Sequence, residues 1–159
     1  SALENVEMPL QLDGVSPSKV REAAMAALTE VGVAELADRF PERLSGGQRQ
    51  RVAIARALSI GPDAIIADEP TSALDVSVRA QILNLLTDLK KELGLAMVFI
   101  SHDIQTVRYI SDRIAVMNGG KVVEEGPAAQ LLADPKDPYT RKLLGAAPSL
   151  LHPNLEGEK

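Results

Sequence analysis

Asp63-Ala64-Ile65-Ile66-Ala67-Asp68 is a short apolar run closed by a carboxylate, the pattern of a β-strand buried on both faces. Asp75 can cap a helix over about Val76 to Glu92, with Ile82, Leu85, Leu86, Leu89 and Leu93 on its inward stripe and Gly94 as its stop. Leu95-Ala96-Met97-Val98-Phe99-Ile100 repeats the buried-strand pattern. Strand, helix and strand in this order predict a right-handed crossover in a parallel sheet. The fold class is therefore α/β. In such sheets ligands bind at the carboxyl ends of strands, so the residues after each strand are the first place to look for chemistry.

Upstream the sequence reads as helical. Ala2 to Leu10 suits a short helix leading into an extended stretch. Ser16-Pro17 then opens a helix, with Ser16 as cap and Pro17 at the first helical position. Val20, Ala23, Ala24, Ala27 and Leu28 share one face of that helix, which ends near Gly32. A second short helix over about Ala34 to Arg39 stops before Pro41. Downstream, Ile114 to Met117 and Lys121 to Glu124 flank Asn118-Gly119-Gly120 and read as a hairpin. Two short helices, roughly Ala128 to Leu132 and Pro138 to Leu144, precede a polar end.

Composition sets the bounds. The 159 residues suffice for a real core, and 45% hydrophobic with 25% charged residues is ordinary for a globular chain. With no Trp and 3% aromatics, that core is built from Ala, Val, Ile and Leu. A net charge of -5 argues against a broad nucleic-acid surface. Without cysteine there is no disulfide, Cys-ligated zinc or iron–sulfur cluster. No apolar run approaches the ~20 residues of a membrane span, and nothing resembles a signal peptide. The opening Ser1-Ala2, in place of Met, suggests a piece of a longer protein.

Leu44-Ser45-Gly46-Gly47-Gln48 precedes a segment of helical composition, Arg49 to Leu58. Ser45 and Gln48 have the S-x-x-Q spacing of a capping box. The glycines leave backbone N–H groups open to close approach, and a helix start with bare donors suits a phosphate. Arg49, Arg51 and Arg56 can be read as phosphate ligands or as a solvated, salt-bridged helix face. Asp68, at the end of the first strand, can hold Mg2+ beside phosphate oxygens. Its neighbour Glu69 can orient a water and accept its proton. The same Asp-Glu-Pro can equally be a strand-to-turn junction whose acids cap backbone groups. His102, after the second strand, can donate to a phosphate oxygen or be a solvated loop residue. His152 has only the second reading.

Taken together, Leu44 to Gln48, Asp68-Glu69, Ser72-Ala73-Leu74-Asp75 and His102 closely resemble the nucleotide-binding domain of ABC ATPases, a P-loop NTPase with a RecA-like core. In that family these are the signature motif, the Walker B strand with its catalytic Glu, the D-loop and the switch His. The likeness extends from about Ala2 to Gly126. It implies that Ser45, Gly46, Gly47 and Gln48 touch ATP held mainly by the opposite subunit of a head-to-tail dimer. It further implies that Asp68 serves Mg2+, Glu69 the lytic water and His102 the γ-phosphate, while Asp75 links the two sites. Asp75 can also be a plain helix cap, and both can hold. Read in these terms, 1–59 is the helical subdomain with the signature, 60–126 the later part of the α/β core, and 127–159 a helical tail.

A P-loop, G-x-x-x-x-G-K-[ST], is missing from the sequence. The one Gly-Lys pair, Gly120-Lys121, has Ala115 and Val122 where the pattern needs Gly and Ser or Thr. The family places that loop, the Gln-loop and the adenine-stacking aromatic before the position of Ser1. Gly126-Pro127-Ala128 to Leu132, with Asp134 to Leu144, resembles the ending of oligopeptide, dipeptide and nickel importer ATPases. The cysteines that many relatives carry beyond it are absent.

The resemblance thus implies part of an ATP-hydrolysing importer subunit on the inner, cytoplasmic face of a cell membrane, with a second ATPase domain and transmembrane permease subunits as partners. One alternative is a soluble ABC ATPase of DNA repair or chromosome organisation. Those insert long coiled coils, whereas Ala2 to Arg39 holds only short helices. Another is a non-catalytic dimerisation and docking module. The chain by itself is expected to be inactive as an ATPase. It is also expected to self-associate, because the P-loop strand would otherwise cover sheet edges around Ile65 and Val98.

Overall fold

The computed structural model describes residues 1–146. Two compact units divide after Ile100.

The first unit opens with three helices. α1 (Ala2–Leu12) buries Ala2, Leu3, Val6 and Leu10, so apolar positions fall about one turn apart on one stripe. No extended stretch follows Leu10. The helix runs through Pro9 to Leu12, and the N–H groups of Asp13 and Val15 return to the carbonyls of Pro9 and Leu10. α2 (Pro17–Glu30) begins at Pro17 and buries Val20, Ala24, Ala27 and Leu28; the Ser16 side chain makes no cap bond. The expected second helix shrinks to a single 3-10 turn, Ala34–Leu36, and another 3-10 turn spans Pro41–Arg43. α3 (Gly46–Leu58) buries Val52, Ile54, Ala55 and Leu58. These three helices pack against one another around an aliphatic core in which Leu28, Val6 and Val31 are fully buried.

β1 (Ala64–Asp68) and β2 (Ala96–Ile100) pair in parallel, Ala64 beside Ala96 and Asp68 beside Ile100. α4 (Val76–Glu92) joins them, which is the expected strand–helix–strand unit. Its buried stripe is Ile82, Leu83, Leu86 and Leu89, while Leu93 is exposed. The strands themselves are not buried on both faces. Ile66 is 72% exposed, Val98 56% and Ile100 47%. The reason is topological: among the described residues the sheet has only these two strands, so apolar residues suited to a wider, covered sheet face outward.

The second unit begins with α5 (Ile104–Ile110), a helix that the sequence patterns do not predict. β3 (Arg113–Asn118) and β4 (Lys121–Pro127) form the expected antiparallel hairpin. Gly119 and Gly120 take φ of 55° and 75°, the two positive values that a tight type I′ turn requires. Val116 faces Glu124 but Met117 faces Val122, so Val123 is the extra residue of a bulge. α6 (Ala128–Ala133) and α7 (Pro138–Ala146) complete the description. His152 lies outside the described residues.

Candidate functional site

The start of α3 has the capping box that its spacing predicts. Ser45 Oγ accepts from the Gln48 N–H at 3.3 Å, and Gln48 Oε1 accepts from the Ser45 N–H at 2.9 Å. A helix start has four orphan donors, and the box satisfies two of them. The N–H groups left over are those of Gly46 and Gly47. A negative group approaching along the axis would meet these two donors and the positive end of the helix dipole. The Gln48 side chain is engaged in holding the cap.

The glycines answer a second demand. A Cβ on Gly47 would lie 2.5 Å from Val78 Cγ1, and one on Gly46 would lie 3.2 Å from Leu74 Cδ2. Leu74 and Val78 bracket the start of α4, so the signature segment and the Ser72–Asp75 segment approach each other closely. Two of the three arginines prove to be structural. Arg49 Nη1 donates to the Leu44 carbonyl at 2.5 Å, and Arg51 Nη1 to the Val31 carbonyl at 2.7 Å. Each guanidinium thus has a backbone carbonyl as a partner, one five and one twenty positions upstream. Arg56 is exposed and borders a groove with Ala2, Asn5 and Pro41.

Asp68 ends β1, exposed, beside Ile100. Glu69 follows with φ of 46°, the one positive value at a non-glycine position among the described residues. Its N–H donates to the Ile100 carbonyl at 2.9 Å, prolonging the ladder by one bond. Its carbonyl accepts from Ser72 Oγ at 3.0 Å and the Ser72 N–H at 3.3 Å. A non-glycine residue held in this region costs on the order of 1–3 kcal/mol, and such strain clusters at functional sites. Asp68 and Glu69 belong to no cluster of three or more potential metal ligands among the described residues. This donor set suits a Mg2+ ion that keeps its water and phosphate oxygens and takes only one or two carboxylates.

Asp75 is the N-cap of α4. Its carboxylate accepts from the Val78 N–H and the Ser77 hydroxyl, both at 2.9 Å. The bond from Val78, then that from Ser77, holds its pKa below the ordinary value. Glu124 of the second unit is lowered in the same way, first by the Lys136 N–H at 2.8 Å. For a depressed carboxylate the stabilisation is present above the unfolded pKa, about 4, and is lost as pH falls through the lower folded value. Amide-exchange protection at Val78 is therefore expected to decline from about pH 4 downward in the native chain, and to be lower in Asp75→Ala above that range, the two converging as the carboxylate is protonated. Equal protection factors in the two proteins at pH 7 would contradict the cap.

His102 is exposed and lies in the second unit, two residues past β2. Asp103 beside it caps α5, accepting from the Gln105 N–H at 3.0 Å and the Thr106 hydroxyl at 3.0 Å. Within the first unit, then, Ser45 to Gln48 and Leu74 to Val78 are brought together at two helix starts. Asp68 and Glu69 sit at the end of β1. Ser72 is the residue to which sequence reasoning gives no role of its own; nothing in its local spacing signals a bond back to Glu69.

The sequence model of the ABC transporter family matches residues 1–72. The chain is 50% identical over 156 residues to the dipeptide transport ATP-binding protein DppF of Haemophilus influenzae, covering 97% of this chain and 47% of that protein. It is 52% identical over 147 residues to DppF of Escherichia coli, covering 91% and 44%. The glutathione import ATP-binding protein GsiA of Escherichia coli is also 52% identical over 147 residues, 24% of its length. The chain thus spans about half the length of the dipeptide relatives. Among the described residues no helix is long and apolar enough to cross a membrane. Over most of its length this α/β chain is thus similar to part of the ATP-binding proteins of peptide importers, and its first 72 residues match the ABC transporter family.

Proposed function

We propose that the chain is the later portion of an ATPase subunit that powers solute import, with short peptides as the favoured solute class and nickel as the alternative. The observation that carries this reading is the start of α3, where the capping box leaves the Gly46 and Gly47 N–H groups as donors for a phosphate. Ser45 and Gln48 shape that donor pair, and ATP held by a second ATPase domain is its ligand. Asp68 would hold Mg2+, which neutralises charge building on the phosphates. Glu69 orients the attacking water and takes its proton, His102 donates to the γ-phosphate, and Asp75 couples the two sites across a dimer. We assign 1–59 to the helical subdomain, 60–126 to the later core and 127–159 to the tail. The subunit works at the cytoplasmic face of a membrane, attached to permease subunits.

The 159-residue sequence contains no P-loop, so ATP turnover belongs to the full-length protein. That protein is expected to hydrolyse ATP in the presence of Mg2+, while the isolated chain is silent. The outward Ile66, Val98 and Ile100 support self-association of the isolated chain. Turnover by the isolated chain at the full-length rate would overturn the reading that its donor pair serves ATP held by a second ATPase domain.

A further inference from the structure

We propose that Ser72 is the positioning residue for Glu69 and acts through the Glu69 backbone. The proposal rests on the reading of Glu69 as the group that takes a proton from the attacking water. Glutamate seldom occupies φ near 46°, and Pro70 behind it favours an extended predecessor. Something must hold the conformation. Three hydrogen bonds do so: the Glu69 N–H to the Ile100 carbonyl, and the Ser72 N–H and hydroxyl to the Glu69 carbonyl. The first belongs to the sheet and the second to the turn's backbone. The Ser72 hydroxyl, at 3.0 Å, is the one side chain among them.

That bond fixes the peptide plane after Glu69, and with it the direction in which the Glu69 side chain leaves the end of β1. Without it the carbonyl keeps the longer 3.3 Å bond from the Ser72 N–H. The residue can then relax toward an extended conformation and carry its carboxylate away from the water. A displacement on the order of 1 Å costs about 100-fold in rate. Because Ser72 is exposed, its hydroxyl can be removed without opening the core.

The test uses the full-length protein with ATP and Mg2+. Ser72→Ala is expected to lower kcat by about 10- to 100-fold with KM for ATP unchanged, and Ser72→Thr, which keeps the hydroxyl, to restore most of it. A second arm measures thermal unfolding of the isolated chain. Glu69→Gly relieves the strain and is expected to raise the midpoint by a few degrees, on the order of 2–4 °C. Ser72→Ala should lower the midpoint in the native background and have little effect in the Glu69→Gly background, since glycine needs no restraint there. An unchanged kcat in Ser72→Ala, a change confined to KM, or additive midpoint shifts would each overturn the proposal. Full turnover by Glu69→Gln would instead remove the role of Glu69 itself, so the two failures are distinguishable.

Discussion

Glu69→Gln is expected to lower ATP turnover of the full-length protein by about 100- to 10,000-fold while leaving ATP binding intact. The substitution preserves size and hydrogen-bonding reach but removes the ability to accept a proton. The φ of 46° at position 69 is held by backbone bonds and Ser72, and glutamine keeps the size and polarity of the side chain, so the local conformation should survive. The loss should therefore appear in kcat, with nucleotide affinity close to that of the native protein. Single-turnover kinetics and equilibrium ATP binding separate the two quantities. Equal loss of binding and turnover would mean that the carboxylate holds the nucleotide and does not act on the water.

Gly47→Ala tests the approach of the two helix starts. In an open first turn, alanine would gain up to about 1 kcal/mol over glycine from helix propensity. Here the new Cβ would lie 2.5 Å from Val78 Cγ1. Valine in a helix has essentially one χ1 rotamer, so Val78 cannot swing aside, and overpacking costs about 1–3 kcal/mol. The clash outweighs the propensity gain, and a net destabilisation of about 1–2 kcal/mol follows. Val78→Ala removes Cγ1 and should rescue the fold, giving a coupling of at least about 1 kcal/mol in a double-mutant cycle of the isolated chain. Additive effects would show that the contact is not what demands glycine. Gly46→Ala should be milder, since Leu74 Cδ2 lies 3.2 Å away at the end of a flexible side chain.

Local chemistry in this chain is legible wherever partners are close in sequence. The capping box of Ser45 and Gln48, the Asp75 cap, the Gly119-Gly120 turn and the apolar runs of β1 and β2 each depend on neighbours within a few residues. What escapes depends on distance or on absent neighbours. An apolar run such as Ala64 to Ala67 reports that a strand is suited to burial, and Ile66 shows that suitability and burial can part when the sheet is narrow. Arg51 finds its acceptor twenty positions upstream at Val31, beyond any periodicity argument. α5 spans seven residues, Ile104–Ile110, and follows directly on the loop after β2, with no Gly or Pro to punctuate its start. The backbone of Glu69 cannot be read at all: Glu-Pro favours extended structure, and the bonds from the Glu69 N–H to Ile100 and from Ser72 to the Glu69 carbonyl override that preference.

The division after Ile100 also decides what light can report. The chain has no tryptophan, and both of its tyrosines, Tyr109 in α5 and Tyr139 in α7, belong to the second unit. Tyrosine emission and near-ultraviolet circular dichroism from these rings therefore follow the hairpin unit alone. The helices and strands that carry the signature segment melt without a tyrosine signal. Far-ultraviolet circular dichroism, dominated by α1 to α4, reads the other unit. Coincident melts by the two methods would mark one cooperative transition, and separated melts two.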